Sequence, residues 1–384
     1  MTRPADGAWL NACLIGRAGS RAALNTPALV LDLPAFERNL QAMARYCEQR
    51  GLALRPHAKT HKCGEIARRQ MAAGAVGLCC AKLAEAEVFA ALGVTGLLLT
   101  SPVVTDMGLA RLIALLARAP DLMVVCDDAD NARRLGRGAA AAGLRLRVLV
   151  DIDVGLGRTG VATLRDGVQL ARLIAETPGL ELYGVQGYAG HVMHIRGRGA
   201  RRAATSAALE LLRGFKRELE RCGLAPRIVT GGGTGTFDLD PDLGVLTELQ
   251  AGSYVFMDRE YNDVWGGSEG PPPFETSLFV QSTVVSAARP GRATTDAGCK
   301  AFATEAGVPS VASGAPPGTT YAFFGDEQGL LSLPPGAGRL APGAVVSCVT
   351  PHCDPTVNLY DVIHVVRDGA LVDIWPVEAR GRAQ

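Results

Sequence analysis

The sequence predicts an α/β protein, a (β/α)8 barrel of the TIM type followed by a C-terminal β domain, and three observations lead there. Short aliphatic or β-branched runs alternate with longer helix-like segments from about residue 52 to residue 258. Eight such runs fall within roughly two hundred residues, close to the size of one barrel with its helices. Beyond residue 266 the texture changes to short alternating runs separated by frequent turns, the pattern of a small β unit.

The eight runs are LALRP (52–56), VGLCC (76–80), GLLLT (96–100), LMVVCDD (122–128), LRVLVDID (146–153), LELYGVQGY (180–188), RIVTGG (227–232) and TELQAGSYVFMD (247–258). They are near-continuously apolar, as strands of a parallel sheet covered on its faces must be. Between most of them lie helix-like segments such as HKCGEIARRQMAAG, KLAEAEVFAALG and ADNARRLGRGAAAAG. A doubly wound open sheet is the competing architecture, and the sequence lacks the strand–GxGxxG–helix opening that such folds carry. TPALVLDL (26–33) can join either unit. The segment after it, PAFERNLQAMARYCEQRG, starts with Pro and ends with Gly, the asymmetry that helices favour. GGSEGPPPFE (266–275) reads as a linker. SLFVQSTVVSA, TYAFFGDEQGLLSL, GAVVSCVTPH and YDVIHVVRDGALVDIWPV then supply short strands. The expected division is a barrel over 34–265, with 1–33 and 266–384 forming the β domain.

At 384 residues the chain can hold a large barrel and a smaller domain, and its 48% hydrophobic content can fill their cores. Lys plus Arg number 39 against 38 Asp plus Glu, a balance that argues against nucleic acid or an acidic membrane surface as the partner. No stretch approaches the roughly 18 apolar residues of a membrane span. The opening MTRPADGAWLNACLIGRAGS lacks the pattern of a signal peptide. Ten cysteines without regular spacing, two of them the adjacent Cys79 and Cys80, suit reduced thiols in a cytoplasmic protein better than a disulfide ladder.

Five constellations carry chemistry. RPHAKTHK, Arg55 to Lys62, directly follows the first barrel strand, at the end where barrel active sites are built. Lys59 there can form a Schiff base with an aldehyde cofactor, with Arg55, His57, His61 and Lys62 supplying a positive field that lowers its pKa. A solvated basic loop would use the same residues. TGGGTGT, Thr230 to Thr236, follows the seventh strand. Its glycines Gly231, Gly232, Gly233 and Gly235, with Thr230 and Thr234, let backbone approach a ligand, and barrel phosphates bind after strands seven and eight. AGSY, with Gly252, Ser253 and Tyr254, can supply the other half of that cup. In TPHCDPTVNLYD, His352 and Asp354 would share one side of an extended strand and make a divalent metal site, for Mn2+ or Mg2+ before structural Zn2+. A polar turn with a hydrogen-bonded histidine is the plainer alternative. GYAGHVMHIRG follows the sixth strand with Tyr188 and two candidate acid–base groups, His191 and His194. Four of the six histidines (57, 61, 191, 194) thus fall on two loops that a barrel brings to one rim. Arg158, in VDIDVGLGRTG after the fifth strand, can donate to a phenolate oxygen, and a surface arginine fits its place equally well.

Together RPHAKTHKC, GLCCAK, DVGLGRTGV, GGGTGT, TELQAGSYVFMD, DAGCK and HCDPTVNLYD resemble the D-threonine aldolase family of alanine-racemase-like enzymes, from residue 26 to the end. The resemblance implies pyridoxal 5'-phosphate (PLP) as cofactor, a divalent metal, a homodimer, and cleavage of a D-3-hydroxy-amino acid to glycine and an aldehyde. It implies Lys59 as the cofactor lysine, His352 and Asp354 as metal ligands and His194 as the base at the β-hydroxyl. Arg158 would meet the cofactor phenolate oxygen, Tyr188 would lie by its ring, and the glycine turn with Gly252, Ser253 and Tyr254 would cradle its phosphate. The segment AGHVMH, where the family tends toward HGSxQH, and Gln328, where it often has His, depart from the pattern and bear on the substrate side chain. The related D-serine dehydratases resemble the same scaffold with a Cys two residues after the metal histidine, the position Asp354 holds here. The competing functions are therefore a 3-hydroxy-D-aspartate aldolase, a D-serine or D-3-hydroxyaspartate dehydratase, and a non-enzymatic PLP carrier, the last leaving the C-terminal β domain unexplained.

Overall fold

The computed structural model describes residues 9–265 and 272–384. Most of the expected linker, residues 266–271, lies outside the described residues. The chain divides into two compact units. Met43–Lys59, Gly64–Gly252 and Gly381–Gln384 form one, the barrel unit. The described residues up to Ala42, Thr60–Cys63 and those of Ser253–Arg380 form the other, the sheet unit.

Strand β1 (Ala28–Asp32) is followed by helix α1 (Leu33–Arg50), which has Pro34 in its first turn and stops at Gly51, where φ is 64°. The barrel strands come next: β2 (Ala53–Leu54), β3 (Cys79–Cys80), β4 (Leu98–Leu99), β5 (Met123–Cys126), β6 (Leu146–Asp151), β7 (Leu180–Gly187), β8 (Ile228–Gly231) and β9 (Glu248–Leu249). Each of the eight apolar runs contains one of them. All are parallel, in the order β2-β9-β8-β7-β6-β5-β4-β3. A bridge between His57 and Cys79, with the Cys79 N–H donating to Pro56 O at 2.9 Å, joins the two ends and closes the ring. Helices alternate with the strands: α2 (Gly64–Ala72), α3 (Leu83–Ala91), α4 (Asp106–Leu116), α5 (Ala129–Ala141), α6 (Leu164–Glu176) and α7 (Arg198–Arg221). Three of them start on side-chain caps, Thr105 for α4, Asp128 for α5 and Thr163 for α6, each accepting from an otherwise unpaired first-turn N–H.

Inside the barrel Cys79, Leu98, Met123, Val125 and Leu149 form an apolar cluster. Beside it a bidentate ion pair links Arg55 of the β2 end to Glu248 of β9, at 2.6 and 3.0 Å, with both side chains buried. A second Arg55 branch donates to Val76 O and Gly96 O. Arg55 is therefore a neutralised packing group, which corrects its expected share in the positive field of the Lys59 loop.

The sheet unit continues with α8 (Arg259–Trp265), β10 (Leu278–Ser286), β11 (Arg292–Thr295), β12 (Ser310–Ser313), β13 (Thr320–Phe323), β14 (Gly329–Ser332), β15 (Val345–Val349), α9 (Cys353–Val357), β16 (Val362–Arg367) and β17 (Ala370–Pro376). β1 lies in the middle of this sheet, antiparallel to β10 and parallel to β16, so the N-terminal run joins this unit. The first half of α1 packs here too. Phe36 meets Trp375 edge-on, and Asn39 exchanges two hydrogen bonds with the Glu275 backbone at 2.7 and 2.8 Å. Residues 34–42, 60–63 and 253–265 thus group with the sheet unit, where the sequence placed them in the barrel, because their hydrogen bonds and apolar contacts lie there. No described helix is long and apolar enough to cross a membrane.

Candidate active site

The barrel unit gathers its chemistry at the C-terminal ends of its strands. Lys59 sits in a single 3-10 turn, Ala58–Thr60, just past β2. Its backbone N–H donates to His57 Nδ1 at 3.4 Å, and His57 Nε2 lies 3.2 Å from Thr100 Oγ1. The Thr100 hydroxyl itself donates to Cys80 O at 3.2 Å, so it accepts from the imidazole, and His57 holds its proton on Nε2.

Past β6, the turn carrying Arg158 is tied at several points. Asp153 Oδ1 accepts from the N–H groups of Gly155 and Gly157 at 2.9 and 3.0 Å, and these bonds hold its carboxyl below the usual range. Thr159 donates to Asp151 Oδ2 at 2.7 Å, and Gly160 N–H to Asp127 Oδ2 at 2.9 Å. The Arg158 guanidinium lies over the Tyr188 ring, 5.5 Å from its centroid, an attraction between cation and ring face. Under the rim runs a buried polar chain. Gln186 donates to Asp151 Oδ1 at 2.9 Å, and Gln250 Nε2 lies 3.1 Å from Gln186 Oε1 and 3.0 Å from Thr230 Oγ1. Burial raises the Asp151 carboxyl, against the pull of Thr159 and Gln186. The signal for this chain was a polar residue, Asp151, Gln186, Thr230 or Gln250, inside each of four successive apolar runs.

The glycine turn after β8 is shaped by its neighbours. A Cβ on Gly235 would collide with the Met193 carbonyl, one on Gly233 would meet the Met193 sulfur, and one on Gly232 would strike Asp240. These glycines therefore serve close backbone packing whatever else they bind. Asp240 Oδ2 accepts from Thr236 Oγ1 at 2.8 Å and from Gly233 N–H at 3.3 Å. No sequence signal marked Asp240, one of three aspartates in a polar turn.

His191 and His194 are exposed on the loop after β7. The loop is anchored by the fully buried Arg201, which donates to Ile195 O at 2.9 Å, and by Met193 against the glycine turn. His61 differs from the expected rim group. It is fully buried in the sheet unit, with its Nδ1 accepting from Cys63 N–H at 3.1 Å, so three histidines rather than four belong to the barrel loops.

In the sheet unit, Ser253 donates to Asp354 Oδ1 at 3.3 Å, and the buried Tyr254 ring packs 5.7 Å from that of Phe274. The segment around His352 is not the extended strand that the sequence suggested. His352 is extended, at φ −140°, and caps α9, while Asp354 lies in that helix's first turn. Pro355 fits there because a first-turn residue needs no N–H partner. Their placement therefore comes from a strand-to-helix corner, not from strand alternation. His352 Nδ1 is 2.9 Å from Glu305 Oε1 and 3.9 Å from Glu260 Oε2. The buried Asp258 shapes the corner from below, one oxygen accepting from Cys353 N–H at 2.9 Å and the other from Tyr261 N–H at 3.0 Å. Burial pushes its carboxyl up to about 6. Among the described residues no group of three His, Cys, Asp or Glu is arranged as a metal cluster. An imidazole nitrogen and a carboxylate suit Mn2+ or another borderline-to-hard divalent ion.

Two family models match the chain: "Alanine racemase, N-terminal domain" over residues 31–260 and "Putative serine dehydratase domain" over residues 277–366. A D-threonine aldolase of Arthrobacter sp. is 43% identical over 361 residues, covering 94% of both chains. A 3-hydroxy-D-aspartate aldolase of Paracoccus denitrificans is 36% identical over 363 residues, covering 94% of this chain and 93% of that protein. The crystal structure of D-threonine aldolase from Filomicrobium marinum matches with a TM-score of 0.89 at 40% identity, over 94% of this chain and 97% of that one.

Proposed function

Because the chain belongs to the D-threonine aldolase family of alanine-racemase-like proteins, we propose that it is a metal-dependent PLP aldolase, a lyase that splits D-3-hydroxy-amino acids of the D-threonine type into glycine and an aldehyde. The observation that carries this reading is the position of Lys59. It stands past the first barrel strand, on the strand-end side that also bears the glycine turn and the Arg158–Tyr188 pair.

The residues present fit both implied groups: a turn of four glycines and three threonines after β8, whose backbone lies bare of bulky side chains, suits a phosphate, and the His352 and Asp354 donors suit a divalent ion. When bound, the cofactor supplies an electron sink for the broken Cα–Cβ bond and the metal a Lewis acid for the substrate hydroxyl. Lys59 Nζ would hold the cofactor and return a proton to Cα of the departing glycine. His194 would take the proton of the β-hydroxyl, with His191 the other candidate on that loop. Arg158 would donate to the cofactor phenolate oxygen. Its guanidinium is already oriented by Tyr188, which would lie beside the ring, and His57 would flank the cofactor in its fixed tautomer. Thr230, Gly231, Gly232, Gly233, Thr234 and Gly235, with Gly252, Ser253 and Tyr254, would cradle the phosphate.

The reading extends to a cytoplasmic homodimer using Mn2+. Ten cysteines with no disulfide among them agree with the compartment, and sedimentation at twice the 40.1 kDa chain mass would check the assembly. A second reading, a dehydratase on the same scaffold, is favoured by the family model over 277–366 and opposed by Asp354, where D-serine dehydratases carry cysteine. Product analysis with D-threonine, PLP and Mn2+ separates them. Glycine and acetaldehyde, lost on chelation, support the aldolase. Ammonia and 2-oxobutanoate would replace it with the dehydratase, and turnover of 3-hydroxy-D-aspartate alone would narrow the substrate.

A further inference from the structure

The Asp240 carboxyl is built into the underside of the glycine turn. It is 2% exposed, and its Oδ2 accepts from Gly233 N–H and Thr236 Oγ1. It lies so close to Gly232 that any side chain there would strike it, and φ at Gly232 is 69°. Among the described residues no cation pairs with it. The two aspartates flanking it do have partners: Asp238 binds Arg198, and Asp242 binds Arg202, both from α7. Tyr46 on α1, with Arg50 over its ring, also feels all three aspartates. Arg198 and Arg202 are thus engaged with the flanking aspartates, and those two carboxylates both stand against ionisation of Asp240.

An ionised carboxylate in that position would be buried, without a counter-ion, against the turn that the proposed function assigns to a phosphate dianion. Desolvation and like charge both oppose this state. We propose that Asp240 is a proton-holding positioning residue: as the neutral acid it fixes the glycine turn for a phosphate group, and as the carboxylate it repels that group. Burial pushes its carboxyl up to about 8, with Asp238 and Asp242 adding to the shift and the Thr236 and Gly233 bonds opposing it. A bound phosphate would push it further in the same direction, so phosphate binding and proton retention are reciprocally linked.

This inference rests on the PLP reading, and its test keeps the two apart. PLP and pyridoxal, the same aldehyde without the phosphate, are titrated into the full-length apoprotein across neutral and alkaline pH, where the phosphate is already a dianion. For the wild type, the preference for PLP over pyridoxal is expected to fall by up to about tenfold per pH unit once Asp240 ionises, the slope of one linked proton. Asp240→Asn, which mimics the neutral acid, keeps the low-pH preference and removes the fall. Thr236→Val, which deletes a hydrogen bond to the carboxylate, moves the fall to higher pH. The inference is overturned if Asp240→Asn follows the wild-type profile, or if it loses the PLP preference at every pH. Failure of the wild type to bind PLP at any pH would instead remove the functional reading, and the inference with it.

Discussion

Two side chains make separable contributions to the proposed reaction. Lys59→Ala is expected to abolish turnover together with the absorbance of the lysine-bound cofactor. An unchanged spectrum would reject Lys59 as the attachment point. Asp354→Ala should lose metal-dependent turnover while cofactor absorbance stays, and full activity in a chelator would take the metal out of the reaction. Sequence spacing singled out Lys59, Arg158 and Tyr188 because each ends or closely follows an apolar run, and topology turns that into a shared rim. It could not separate Arg55 from them. Only the fold shows that the Arg55 side chain meets Glu248, nearly two hundred residues away, and not the Lys59 loop. Asp240 and Asp258 were illegible for the same reason. A carboxyl in a polar turn, or at the end of an apolar run, looks solvated until tertiary packing buries it.

Elements were more legible than their corners. Eight apolar runs each hold a barrel strand, since continuous burial leaves a compositional mark. The His352 corner left none, because a five-residue helix is too short to show periodicity, and its first N–H is met by Asp258, about a hundred residues earlier. The segment before β1 docks by a buried contact of the same long-range kind. His364 Nδ1–H donates to Leu29 O at 3.1 Å, leaving Nε2 to accept from Asn11 Nδ2 at 3.0 Å, while Asn11 Oδ1 takes two bonds from Asn25. Burial lowers the His364 pKa from its ordinary 6.5. Above that ordinary value both folded and unfolded states carry a neutral ring, and the stabilisation is complete. As pH falls, the unfolded state gains the proton first, so stability is lost downward through the folded pKa. Thermal melts between about pH 7 and pH 5 should therefore fall more steeply for the wild type than for His364→Gln. Parallel slopes would show that the contact is not titrating.

For the whole molecule, the barrel and the sheet meet different demands. The barrel places loops on one rim and pairs the buried Arg55 with Glu248. Glu248→Ala would leave Arg55 buried without its partner and should destabilise the protein by about 3–5 kcal/mol, read from denaturant unfolding. A change below about 1 kcal/mol would mean that Arg55 finds water or another acceptor. The sheet takes a central strand from the start of the chain and the rest from its end. During synthesis, β1 leaves the ribosome before any of β2 to β9 and long before β10 and β16, its ladder partners, are translated. Its apolar sequence ALVLD must stay unpaired while the barrel strands are made, presenting an open edge of the kind that recruits other chains. Sheet closure is thus a late event with large sequence separation, slow by topology. A nascent chain that stalls before Leu278 carries a sticky strand with nothing of its own to bind, so expression yield should depend on chaperone supply more than the finished protein's stability suggests.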